Sequence, residues 1–162
     1  MNLRPIEPED CRAILEVASD WWGADYSSDM FSKWFIHHFR ETCLLAEKNG
    51  KMIGFLMGFL SQSFPDEAYI RIVMVDPAYR GQGVGRALYE KFFERVEMLE
   101  RSVIRCVTAP QKKDSISFHG RLGFSIEPQE QNLEGVPVCL NYDGRGGNRV
   151  VLKKGLQKKI IV

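Results

Sequence analysis

The chain has 162 residues, with 22 lysines and arginines against 21 aspartates and glutamates, and a formal charge of +1. That length suits one compact domain with a core of its own, expected here over residues 1–162. The near-balance of charge excludes a general field for drawing in nucleic acid or an anionic membrane, so any anion site is local.

Residues Asn2 to Pro5 read as a short edge strand. In "EPEDCRAILEVAS", Pro8 and the carboxylates Glu7, Glu9 and Asp10 sit where a helix N-terminus favours them, and Cys11, Ile14, Leu15 and Ala18 follow on one apolar face. "DWWGADYSSD" reads as a loop, and a second helix is expected from about Ser28, with Phe31, Trp34, Phe35 and His38 at helical spacing. "TCLLAEKNGKMIGFLMGFLSQS" gives two strands joined at Asn49-Gly50, a dipeptide that tolerates the positive φ angles of a tight hairpin. "EAYIRIVMV" is a further strand. A helix then carries Val84, Leu88, Phe92, Val96 and Leu99 on one side. Next come a strand "SVIRCVT", a short helix around "KDSISFHGRL", and strands from "GFSIE" and at "NRVVLKK".

The resulting order, β-α-α-β-β-β-α-β-α-β-β, is that of a mixed α/β (α+β) domain. It argues against a doubly wound parallel sheet, which would alternate strand and helix from the start. The cysteines Cys11, Cys43, Cys106 and Cys139 form no CxxC pair and lie in or beside apolar runs, as small buried residues in a reducing compartment do. The N-terminus lacks a charged-then-apolar leader pattern, and no apolar run approaches the roughly 20 residues needed to span a bilayer. A cytoplasmic location without membrane contact is expected. The histidines His37, His38 and His119 have no cysteine or carboxylate at ligand spacing, so no metal site is expected.

Between the strand "EAYIRIVMV" and the following helix lies "RGQGVG", with Gly81, Gly83 and Gly85 at alternate positions. Such a turn aims backbone N–H groups and the positive end of a helix dipole at one spot, which suits a phosphate. A GxGxxG dinucleotide fingerprint would need glycine where Arg86 stands, and a nucleoside-triphosphate loop GxxxxGK would need it at Arg86 or Leu88. On spacing alone, a bare helix start without a ligand stays open.

The stretch "VDPAYRGQGVGRALYEKF" resembles the R/Q-x-x-G-x-G/A signature of the GCN5-related N-acetyltransferase (GNAT) superfamily, matched by Arg80, Gly83 and Gly85. "SISFHGRLGF" is similar to that family's second signature. The resemblance implies a GNAT-type fold, a mixed and mostly antiparallel central sheet flanked by helices. It also implies acetyl-CoA as co-substrate, its diphosphate held by Arg80, Gly81, Gln82, Gly83, Val84, Gly85 and Arg86. The pantetheine arm is expected along Met74 and Val75, with further contacts at Ser115 and Phe118. Where many members have a tyrosine that protonates the departing thiolate, this chain has His119, the candidate acid. Lys112 stands where an asparagine is common.

Acetyl transfer from a thioester needs a neutral amine, a donor for the carbonyl oxygen and a leaving thiolate. A backbone N–H at Met74 or Val75 is the expected donor. Candidate bases are Asp25, His37, His38, Asp66 and Glu67, among which the sequence does not choose. On the acceptor side, Trp21 and Trp22 stand off the helical stripe, and Tyr69 and Arg71 share one strand face. Arg71 in an apolar run would need a buried partner or a carboxylate-bearing ligand. The turn-rich "NYDGRGGNR" is a further candidate to cap the acceptor. The expected partner is a primary amine on a small molecule or peptide, and a homodimer is among the expected assemblies because small members of the superfamily often pair. The alternative is an acyl-CoA-binding sensor without turnover.

Overall fold

The computed structural model describes residues 1–22 and 31–157. Four helices, α1 (Cys11–Trp22), α2 (Lys33–His38), α3 (Val84–Met98) and α4 (Lys113–Arg121), accompany nine strands among the described residues. The strands are β1 (Asn2–Pro5), β2 (Cys43–Lys48), β3 (Lys51–Leu60), β4 (Glu67–Val75), β5 (Val103–Thr108), β6 (Ser125–Ile126), β7 (Gln131–Leu133), β8 (Val136–Val138) and β9 (Val150–Gly155). Seven of them hydrogen-bond in the order β1-β2-β3-β4-β5-β9-β6, and β7 and β8 pair separately. The mixed, mostly antiparallel sheet is the one expected.

The chain divides into two units, Met1–Leu60 with Ile70–Glu100, and Ser61–Tyr69 with the residues from Arg101 on. In the first, β1 and β3 flank β2 antiparallel, and Asn49 (φ 52°) with Gly50 (φ 73°) closes the β2–β3 hairpin as its dipeptide requires. Ile14 and Ala18 of α1, Phe31, Phe35 and Ile36 pack with Leu45, Phe55, Met57, Ile72 and Met74 of the strands. Each fully buried large side chain there contributes about 1.5–3 kcal/mol. Val84, Leu88, Tyr89, Phe92 and Val96 form the buried stripe of α3. Gly54 is where β3 lets this helix approach: a Cβ there would stand 2.9 Å from the Met74 carbonyl oxygen and 3.1 Å from Val84 Cγ1.

In the second unit the first residues of β4, Glu67–Tyr69, pair in parallel with Val103–Arg105 of β5. Strand β9 runs antiparallel to both β5 and β6. Arg105 donates to Glu67 Oε2 at 2.8 Å and also bonds Glu127, joining β4, β5 and the exit of β6 by one half-buried cation.

Two expectations need correction here, and one hairpin has no counterpart in the expected order. The "DWW" stretch is helical, because α1 continues through Trp22; both indoles pack on the core, and Trp21 stacks on Phe55 with ring centroids 6.2 Å apart. That apolar gain outweighs the turn preference of the residues around it. The second helix buries Phe35 and Ile36, while Trp34 is 61% exposed and His38 is exposed. Only six residues long, it starts after Phe31, which is buried from outside the helix; the expected start at Ser28 lies outside the described residues. The β7–β8 hairpin was not anticipated. Glu134 (φ 51°) and Gly135 (φ 81°) make its turn.

Candidate active site

The loop between β4 and α3 is held at its entrance by Asp76. Its Oδ1 accepts from the Ala78 N–H at 2.9 Å, Oδ2 receives Lys51 Nζ at 3.1 Å, and its own N–H donates to the Ile53 carbonyl at 3.0 Å. The Ala78 amide, aided by Lys51, keeps this nearly buried carboxyl below the usual carboxylate range, burial opposing. The ammonium groups of Lys48 and Lys51 lie 5.5 and 5.8 Å from the centre of the Tyr79 ring. Gln82 Nε2 donates to the Ala78 carbonyl at 3.0 Å, folding the loop on itself.

Gly83 (φ 84°) is the N-cap of α3 and brings no side chain to cap it. The helix's first intrahelical acceptor is the Gly83 carbonyl, bonded by the Ala87 N–H at 3.0 Å. The N–H groups of Val84, Gly85 and Arg86 thus open the helix where no earlier turn can receive them, at the positive end of its dipole. A Cβ at Gly81 or Gly83 would meet no heavy atom within 4 Å, so the loop presents open backbone. Chemically this is an anion cradle, and its amides fit a diphosphate.

Arg80 does something else with its side chain. Its Nε donates to the Val75 carbonyl at 3.2 Å and Nη2 to the Trp21 carbonyl at 3.1 Å. Met74 is buried in the first unit's core and Val75 ends β4. Arg71 is exposed rather than buried, with its guanidinium carbon 5.2 Å from the centre of the Phe35 ring. The expected desolvation cost does not arise, since only alternate residues of β4 are buried.

In the second unit, His119 is buried in α4, edge-on to Phe118 and Phe124 with centroids 5.8 and 5.3 Å away. Its Nδ1 lies 2.7 Å from the Ser115 carbonyl; a carbonyl only accepts, so Nδ1 carries the proton and Nε2 the lone pair. Ser115 Oγ receives Thr108 Oγ1 at 3.0 Å. Burial lowers the His119 pKa below 6.5, although the Ser115 bond pulls the other way. Burial thus favours the neutral form of the imidazole.

Tyr69 also belongs to this unit. Burial raises its pKa, as does a hydrogen bond with Tyr142, which is 42% exposed on the loop between β8 and β9. That loop is closed by reciprocal Cys139–Arg149 backbone bonds of 2.8 and 3.0 Å. Inside it, Asn141 Oδ1 accepts from Gly146 at 2.8 Å, Asn148 Oδ1 from Asn141 at 2.9 Å, and Asp143 pairs with Arg149 at 2.6 Å. Tyr142 escaped the sequence reading as an individual residue, although its loop did not.

Among the candidate bases, Glu67 is engaged by Arg105, Asp66 is exposed at the start of β4, and His37 and His38 are exposed on α2. Asp25 lies outside the described residues. Among those described, no group of three or more His, Cys, Asp or Glu could hold a metal, and no helix is long and apolar enough to cross a membrane.

A mixed sheet whose fourth strand runs through a glycine turn into an uncapped helix defines an α/β protein with an open helix start beside a strand end. Comparison with known proteins gives that class its family. The model of the acetyltransferase (GNAT) family matches residues 10–124, and the chain belongs to that family. It is 30% identical over 116 residues to an L-2,4-diaminobutyric acid acetyltransferase of Nocardia farcinica, a match covering 72% of this chain and 60% of that protein. The chain thus spans about three fifths of that relative's length. An L-methionine sulfoximine/L-methionine sulfone acetyltransferase of Salmonella typhimurium is 26% identical over 141 residues, 80% of this chain and 82% of its own. Among solved structures, the ribosomal-protein-S18-alanine N-acetyltransferase of Escherichia coli shares the fold, with a TM-score of 0.74 at 21% identity over 99% of this chain and 97% of that one.

Proposed function

We propose that this protein, acting as one catalytic domain, transfers the acetyl group of acetyl-CoA to a primary amine on a small, amino-acid-like molecule. The observation that carries the reading is the uncapped start of α3 behind Gly81 and Gly83, an open backbone cradle suited to the coenzyme diphosphate. In the reaction the neutral amine nitrogen attacks the thioester carbonyl carbon, the carbon–sulfur bond breaks, the amine loses a proton and the thiolate gains one. A Met74 or Val75 backbone N–H is the proposed donor to the carbonyl oxygen. Ser115 and Phe118 are proposed coenzyme contacts by the same resemblance.

Support for a small acceptor bearing a carboxylate comes from the relatives, whose names specify amino acids, and from the exposed Arg71 guanidinium steadied on Phe35. Tyr69 with Tyr142, and Trp21 with Trp22, are the proposed acceptor-side groups. His119 stands in the proposal with a constraint. To protonate the thiolate it must first gain a proton at Nε2, which burial opposes, and a thiol with pKa about 8.5 leaves readily near neutrality without such help.

Calorimetric titration with acetyl-CoA, with ATP and NADH as controls, tests the coenzyme half of the reading. Thiol release with L-2,4-diaminobutyric acid, L-methionine sulfone and an alanine-first peptide tests the rest. Binding of acetyl-CoA alone and turnover on a free amino acid are expected. Binding without turnover on any amine would convert the protein into an acyl-CoA sensor, and no binding would remove the reading altogether.

A further inference from the structure

Arg80 opens the glycine loop, yet both bonds described for its guanidinium go to backbone carbonyls of other elements. The Trp21 carbonyl belongs to α1, near the end of its described span. The Val75 carbonyl is the last in β4. One planar fork therefore ties the end of α1 to the end of β4, with bonds of 3.1 and 3.2 Å to residues far apart in sequence. A flexible lysine ammonium does not reproduce that fixed fork.

We infer that Arg80 is a positioning residue for the amine side of the reaction and does not hold the coenzyme diphosphate. The inference rests on the acetyl-transfer reading. At one end of the tether are Trp21 and Trp22, proposed for the acceptor; at the other is the strand end proposed to receive the thioester carbonyl. Both ends belong to the first unit. Fixing one against the other sets the approach of the amine nitrogen to the carbonyl carbon, where a displacement of about 1 Å can cost two orders of magnitude in rate. The diphosphate is left to the amides of Val84, Gly85 and Arg86, which need no side chain.

The test compares wild type with Arg80→Ala and Arg80→Lys. Acetyl-CoA affinity is measured by calorimetry, KM and kcat with the amine that supports wild-type turnover, and backbone protection of the last turn of α1 by hydrogen exchange. Arg80→Ala should leave the acetyl-CoA dissociation constant within about twofold while lowering kcat/KM for the amine about tenfold or more, as misplacing the reacting groups does. Protection at the end of α1 should fall, and Arg80→Lys should recover part of both effects. A tenfold or greater loss of acetyl-CoA affinity with kcat/KM for the amine unchanged at saturating acetyl-CoA would make Arg80 a diphosphate contact and overturn the inference. So would a lower melting temperature with both constants unchanged. Failure of the acetyl-transfer reading itself would show in the wild-type protein, before any variant is compared.

Discussion

Replacing Gly54 by alanine probes the packing that sets the coenzyme loop in place. The added Cβ would lie 2.9 Å from the Met74 carbonyl oxygen, 3.1 Å from Val84 Cγ1 and 3.3 Å from Leu88 Cδ1. The two side-chain ends can yield by a few tenths of an ångström, but the carbonyl is main chain in the middle of the unit's core, so β4 or the start of α3 must move. Overpacking of this kind costs about 1–3 kcal/mol. Because Gly54 does not need a left-handed backbone, alanine recovers about 0.4–1 kcal/mol from a less flexible unfolded chain. The net expectation is a loss of about 1–2 kcal/mol, or several degrees of melting temperature for a domain of this size. Urea unfolding should show a lower midpoint at unchanged slope. Since the displaced atoms include Val84, the first residue of α3, acetyl-CoA affinity should fall as well. A variant as stable as wild type, binding acetyl-CoA equally well, would refute the claim that β3, β4 and α3 meet at this glycine.

Two further substitutions separate the coenzyme cradle from its surroundings. Gly85 lies inside α3 with an ordinary helical backbone, unlike Gly83, so Gly85→Val introduces bulk at the helix start without left-handed strain; loss of acetyl-CoA binding with the urea midpoint retained is expected, and unchanged affinity would unseat the cradle. For His119→Phe the sign follows from a folded-state pKa below 6.5. The unfolded chain takes up the proton at higher pH than the folded one, so this residue's contribution is full above the unfolded value and is lost as pH falls toward the folded one. The phenylalanine variant should lose that acid-side slope and keep its turnover at pH 7.5. Parallel stability profiles would contradict the burial argument, and a collapse of kcat at unchanged acetyl-CoA affinity would establish His119 as the thiol acid.

Features with local causes were the legible ones. Asn49-Gly50 specified the hairpin, the spacing from Val84 specified α3, and Gly81 and Gly83 marked the positive-φ turn that precedes it. Features with distant causes were not. Trp21 is helical because Phe55 offers it a stacking partner, and nothing near "DWWG" records that. Arg71 is exposed because Ala68, Ile70, Ile72 and Met74 are the buried positions of β4 and Arg71 alternates with them, a register that the apolar composition of the strand does not disclose. The β7–β8 hairpin is exposed along β7, so it lacks the alternation that marks a half-buried strand, although Glu134-Gly135 is a readable turn. Arg80 could be matched to a signature, but its two acceptors are main-chain atoms and leave no trace in side-chain pattern. The His119 bond to the Ser115 carbonyl has a main-chain acceptor too, and leaves as little trace in the sequence.

The loop from Cys139 to Arg149 has already satisfied its own polar groups through two asparagine side chains, an ion pair and reciprocal backbone bonds. A loop in that condition has little conformational entropy left to surrender when a ligand arrives. On the proposed acetyl-transfer reading, an acceptor meeting Tyr142 would be discriminated by a shape fixed beforehand. Changes of preference among relatives would come from exchanging side chains on a rigid frame, and not from altering how readily the frame closes.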